Sequence, residues 1–238
     1  MKFNWGLSKV LIVMSLAAIL FGFAKKRNQA RKLSEARVSF VDDSPPFITV
    51  DAVNKLLIQN NDTVTSITKD KVVLKEMEAR LVQNPMVREA QVFMTIDGKL
   101  GAEIEQRDPI ARVASNPDYY IDADGMQMPL SEVHAARVPL ITGMDEEQME
   151  SLTALLLAIR ADPFMEQSIV GVHCQANGLL EMKVRKHDFE LLFGAPTDIA
   201  RKFRNFKAFY QKAMADNTLS EYKTVNLRFG DQVVATNK

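Results

Sequence analysis

Between Gln91 and Glu105 the side chains alternate in two runs with a turn signal between them. Val92, Met94 and Ile96 alternate with Gln91, Phe93 and Thr95; Leu100, Ala102 and Ile104 alternate with Gly101, Glu103 and Glu105. A period of two puts the apolar set on one face of a strand and the polar set on the other. Asp97-Gly98 between the runs predicts an antiparallel hairpin with a two-residue type I′ loop. A half-buried hairpin needs an apolar cover, and the segment before it supplies one. Residues 37–41 read as a short strand, and Ser44-Pro45-Pro46 breaks the chain. Thr49 caps a helix that carries Asp51 in its first turn and Val53, Leu56 and Leu57 on one face. Asn60-Asn61-Asp62 ends that helix. Thr68 caps a second one, in which Leu74, Met77 and Leu81 form a stripe, and Asn84-Pro85 stops it because the residue before proline avoids the helical region. The order strand, helix, helix, strand, strand defines a small α+β unit over residues 38–107.

Residues 108–229 predict a second, mostly antiparallel β-domain with two flanking helices. A hairpin turns at Ala123-Asp124-Gly125 and another at Asn177-Gly178. Met149, Leu152, Leu155, Leu156 and Ile159 mark one amphipathic helix; Ile199, Phe203, Phe206 and Tyr210 mark the other. Residues 138–142 and 189–193 read as strands. Residues 222–229 alternate Val225, Leu227 and Phe229 against Thr224, Asn226 and Arg228 and read as the final strand. Residues 230–238 are left as a C-terminal tail.

The N-terminus reads differently. Residues 10–24 are uncharged. Fifteen helical residues cover about 22 Å, short of a hydrocarbon core of about 30 Å. The segment can lengthen backwards through Trp5, Gly6, Leu7 and Ser8, with Lys9 snorkelling toward the headgroups. We read it as a transmembrane anchor after a short tail, residues 1–9. The competing reading is a signal peptide cut after Gly22-Phe23-Ala24, which Lys25-Lys26-Arg27 disfavours. Residues 25–37 are a basic, helix-prone linker or a patch for anionic lipid. The positive-inside rule applied to the charges on the two sides points the bulk of the chain to the cytoplasm, while long domains can translocate despite their charge, so composition leaves the topology open.

Chemistry-bearing patterns are absent. The chain has 30 basic and 30 acidic residues in 238, without the basic excess of a nucleic-acid binder. It has no phosphate-cradling Gly-Lys-Ser/Thr loop, no G-x-S-x-G and no H-E-x-x-H. His134, His173 and His187 have no metal-ligand spacing. His173 and Cys174 are strand neighbours and point to opposite faces. Asp122, Asp124 and Gly125 resemble the start of a calcium loop, but Val133 stands where its last glutamate belongs. Glu103 and Glu105 share one strand face, better explained by exposure than by acid–base work. These readings predict a non-enzyme with no cofactor, no metal, no nucleic acid and no small-molecule substrate.

The ordered series of segments resembles the FtsQ/DivIB family of bacterial cell-division proteins. The matching pieces are the single apolar segment, FITVDAVNKLL, LKEMEARLVQNPMVREAQVFMTIDGKLGAEIEQRDPIARV, YYIDADGMQMPL, VPLITG and YKTVNLRFGDQVV. The resemblance implies that residues 38–107 are a POTRA domain and residues 108–229 the family's β-domain. It implies an N-in, single-pass protein of the inner membrane with both domains in the periplasm. It implies a scaffold that recruits FtsB and FtsL to the septum by strand addition at its last strand, here Tyr222, Thr224, Val225, Asn226, Leu227, Arg228 and Phe229. Residues 47–57 are secondary candidates for recruitment. An alternative is a POTRA-containing accessory protein for export or outer-membrane assembly.

Overall fold

The computed structural model describes residues 5–29, 36–42, 44–58, 73–95, 97–230 and 232–238. The chain divides into two compact units, residues 1–106 and 107–238.

The first unit begins with α1 (Trp5–Gln29). Between Val10 and Phe23 its large apolar side chains are exposed on every side of the helix. Among the described residues, however, no helix is long and apolar enough to cross a membrane. The expected transmembrane helix is corrected to that extent: the helix forms, but Lys9 and Lys25 confine its uncharged run to fifteen residues, about 8 Å short of the hydrocarbon thickness.

A three-stranded sheet follows, formed by β1 (Ala36–Phe40), β2 (Val87–Met94) and β3 (Leu100–Gln106) in the order β1-β3-β2. β1 runs parallel to β3 and β2 antiparallel to it. Two helices cover one face, α2 (Val50–Leu57) and α3 (Leu74–Val82). The Thr49 hydroxyl caps α2 by accepting the Ala52 amide at 3.0 Å. Arg80 of α3 donates to the Leu56 carbonyl at 3.0 Å and so ties the end of α2 to its neighbour. Val53, Leu57, Met77, Leu81, Val92, Leu100, Ala102 and Ile104 are buried and form the core of this unit. The expected cap Thr68 lies outside the described residues.

The 87–106 hairpin differs from expectation in its loop. The Thr95 amide donates to Lys99 O and the Gly98 amide to Thr95 O, so three positions, not two, separate the paired ends. Gly98 has φ +92°, the left-handed residue that a three-residue hairpin loop places in its bulge. On the outer face Phe93 lies across Gly101, where any Cβ would strike the ring.

The second unit is one nine-stranded mixed sheet. Its strands are β4 (Pro109–Val113), β5 (Tyr119–Asp122), β6 (Gln127–Pro129), β7 (Leu140–Thr142), β8 (Ile169–Cys174), β9 (Leu180–Val184), β10 (Glu190–Gly194), β11 (Tyr222–Asn226) and β12 (Val234–Asn237). Their order is β12-β11-β10-β9-β8-β7-β4-β5-β6. The pairs β4–β7, β7–β8 and β10–β11 are parallel and the remaining five antiparallel. Three helices, not two, pack into its core: α4 (Met149–Ala161), α5 (Pro163–Ser168) and α6 (Ile199–Ala215). Leu155, Leu156 and Ile159 of α4, Met165 of α5, and Phe203 and Phe206 of α6 bury against Ile141, Val172, Met182, Leu191, Phe193 and Val225 of the sheet. Alternation leaves His173, Lys183 and Glu190 exposed on the opposite side.

Candidate partner-binding edge

The C-terminal side of the nine-stranded sheet is assembled by a crossover. β10 and β11 are parallel neighbours, Glu190 opposite Thr224 and Leu191 opposite Val225, so the chain must return to the same end between them. α6 makes the return. Phe203 stacks obliquely on Phe193 at 6.0 Å, and Phe206 meets Phe164, Phe189 and Tyr210. Lys202 lies over the Phe193 ring, 4.5 Å from its centroid, and donates to Ala195 O at 2.6 Å. Burial pulls the Lys202 ammonium below the ordinary lysine range, against the opposing pull of the Asp198 carboxylate.

β11 is not the sheet's edge. Its far side pairs with β12: Thr224 faces Thr236, Val225 faces Ala235 and Asn226 faces Val234. The expected partner-binding strand therefore has a neighbour on both flanks, and its main chain is not open. Tyr222 is half-buried against Phe209 at 5.2 Å. The Thr224 hydroxyl is bonded to that of Thr236 at 2.6 Å. Val225 and Leu227 are buried. Asn226 accepts both the Arg228 amide and its Nε. Of the seven expected residues only Arg228 and Phe229 are exposed, and they lie in the loop beyond the strand. That loop is pinned by the Gln232 amide on Phe229 O and by Asn205 of α6 on Gly230 O.

The open flank belongs to β12, in the segment expected to be a tail. Among the described residues β12 pairs only with β11. Val234, Thr236 and Asn237 are exposed, and Ala235 packs on the core. The sequence signal for it is short: the β-branched residues Val233, Val234 and Thr236 within one four-residue stretch. At the sheet's other end, β6 is three residues long and closes on Pro129, a poor template for pairing.

The remaining candidates divide between buried and exposed positions. In residues 47–57, Ile48, Val53 and Leu57 are buried, and the Phe47 amide donates to Gln106 Oε1 at 2.7 Å. The Asp122 carboxylate accepts the Asp124 and Met126 amides and pairs with Arg107 at 2.7 Å, which uses the oxygens a calcium ion would need. His173 is exposed and Cys174 buried, as opposite strand faces require. Glu105 pairs with Arg88. Among the described residues no three His, Cys, Asp or Glu side chains gather as a metal site.

A family model described as FtsQ/DivIB, C-terminal related, matches residues 108–236, which include every strand of the second sheet and end inside β12. The chain belongs to the FtsQ/DivIB family. A POTRA-like domain model matches residues 40–105, from the last residue of β1 through both helices and β2 to the last residue but one of β3. Two curated relatives are both called cell division protein FtsQ. The one from Salinibacter ruber is 25% identical over 171 residues, 65% of this chain and 66% of its own length. The one from Rhodothermus marinus is 26% identical over 182 residues, 65% of this chain and 62% of its own. The chain thus matches a little under two thirds of the length of these relatives. This FtsQ/DivIB-family kinship supports a role in cell division.

Proposed function

We propose that this FtsQ-like chain is a division scaffold that recruits FtsB- and FtsL-type partners to the septum by strand addition along β12. The observation that carries the reading is the single-sided pairing of β12. An edge strand presents amides and carbonyls without sheet partners, and an extended peptide can continue the ladder while alternate side chains select it. Val234 and Phe229, 41% and 52% exposed, supply apolar contacts beside that ladder. The binding residues then shift from residues 222–229 to Val234, Ala235, Thr236 and Asn237, with Arg228 and Phe229 at the flank. No bond-making step is part of this function.

The same reading places α1 in lipid, with the two units on the periplasmic side. Its support is the ring of apolar side chains: Val10, Leu11, Ile12, Val13, Met14, Leu16, Ile19, Leu20, Phe21 and Phe23 are each 58% exposed or more, a surface that water does not tolerate on a solitary helix.

Proline introduced singly at Val234, Ala235 and Thr236 tests the edge, because proline removes an amide and obstructs pairing. Each variant is checked for its fold by circular dichroism and then for co-purification of FtsB and FtsL. At least one folded variant should lose the partners; retention by all folded variants would rule out this edge.

A further inference from the structure

Among the described residues β2 pairs only with β3, and a side chain closes its other flank. In β2 the hydrogen-bonding parity is fixed by the Thr95 amide on Lys99 O. Residues two apart share that parity. Gln91 and Phe93, opposite Glu103 and Gly101, therefore turn their amides toward β3. Ala90, Val92 and Met94 turn theirs outward, away from the sheet. The middle one of these is occupied: the Val92 amide donates to Glu78 Oε1 at 2.8 Å. Glu78 is on α3, next to the buried Met77. The helix packs along β2, and from that position its carboxylate reaches the strand's outer flank.

The strand is otherwise suited to pair with itself. β2 is eight residues long. Antiparallel pairing of two copies about Val92 sets Ala90 opposite Met94, Gln91 opposite Phe93 and Glu89 opposite Thr95. No like charges meet, and the outward amides fall into one ladder. Such a contact is isologous and closes as a dimer. Native proteins protect edges of this kind by covering them or by placing charge on them. We infer that Glu78 is an edge guard: its carboxylate stands in for a neighbouring strand at Val92 and prevents two copies of this chain from joining through their POTRA-like units. The second unit's open β12 then remains the strand available to other proteins.

The test uses the full chain in detergent micelles as wild type, Glu78→Ala and Glu78→Gln. Glutamine keeps an acceptor oxygen and alanine removes it. Amide hydrogen exchange is read at Val92 and at Phe93, whose amide faces β3. In samples dilute enough to hold the chain monomeric, loss of one hydrogen bond should speed exchange at Val92 by roughly fivefold or more in Glu78→Ala, with Phe93 unchanged and Glu78→Gln close to wild type. In a Gln91→Cys background a short bis-maleimide should then capture dimers of Glu78→Ala but not of the other two. The native Cys174 is buried and serves as the background control. An unchanged Val92 rate, or a Glu78→Ala chain that cross-links no more than wild type, overturns the inference. Partner capture at β12 is measured in the same variants and should not change, so a failure here is separable from a failure of the proposed function.

Discussion

Asp162 joins two helices of the second unit by one carboxylate. It caps α5 by accepting the Phe164 and Met165 amides at 3.1 and 3.2 Å, and it pairs with Lys207 of α6 at 2.6 Å. Burial alone would raise its pKa; the Lys207 ammonium and the two amides outweigh that and hold it below the ordinary aspartate range. A carboxyl depressed in the fold contributes stability above its unfolded pKa of about 3.9, and loses it as pH falls through the lower folded value. Asp162→Asn should cost about 1 kcal/mol at neutral pH, measured by urea unfolding. The gap from wild type should shrink steadily below about pH 4; a gap independent of pH would show that the charge is immaterial. Asp118 is lowered in the same sense, first by the Arg112 hydrogen bond and then by the Ser115 amide, and adds to the acid sensitivity of the whole.

At the scale of elements, α6 links the core to the edge, since the crossover it makes is what brings β11 beside β10. Its aromatic face is fully buried at Phe206. Phe206→Ala removes contacts with three rings and should destabilise by about 3–5 kcal/mol, seen as a large fall in the midpoint of thermal unfolding of the chain. The existence of most elements was legible in the sequence because each rests on local periodicity: the 87–106 hairpin on alternation, α4 and α6 on apolar stripes, α2 on the Thr49 cap. Loop length was not legible, since Asp97-Gly98 serves a two-residue turn and a three-residue turn alike; the pairing of Thr95 with Lys99 decides. α5 was missed because six residues show little periodicity, although Asp162-Pro163 is the signature of a cap followed by a helix start. The parallel pairing of β10 with β11 and the position of β12 beyond it depend on contacts distant in sequence. For that reason the sequence pattern does not reveal that β11 is an interior strand with β12 outside it.

For the whole molecule the decisive contrast is between α1 and the two sheets with the helices that cover them. Each sheet has a buried apolar core, and α1 leaves its large apolar side chains uncovered. The full chain should partition into the detergent phase on cloud-point separation, whereas a chain starting at Ala36 should stay in the aqueous phase. Recovery of both in the aqueous phase would remove α1 from any lipid role. The fold uses no cross-link in reaching this arrangement, since Cys174 is the single cysteine. Its thiol is 2% exposed, and burial, with the nearby Asp145 charge, pushes its pKa up to about 11. Thiolate is the reactive form, so the sulfur is silent toward alkylating agents for as long as β8 stays packed beneath the helices. The protein therefore carries a built-in clock: the pace at which a maleimide tags that one atom reports how often the sheet breathes open, and a bound partner that steadies the sheet would be read as a slower tick.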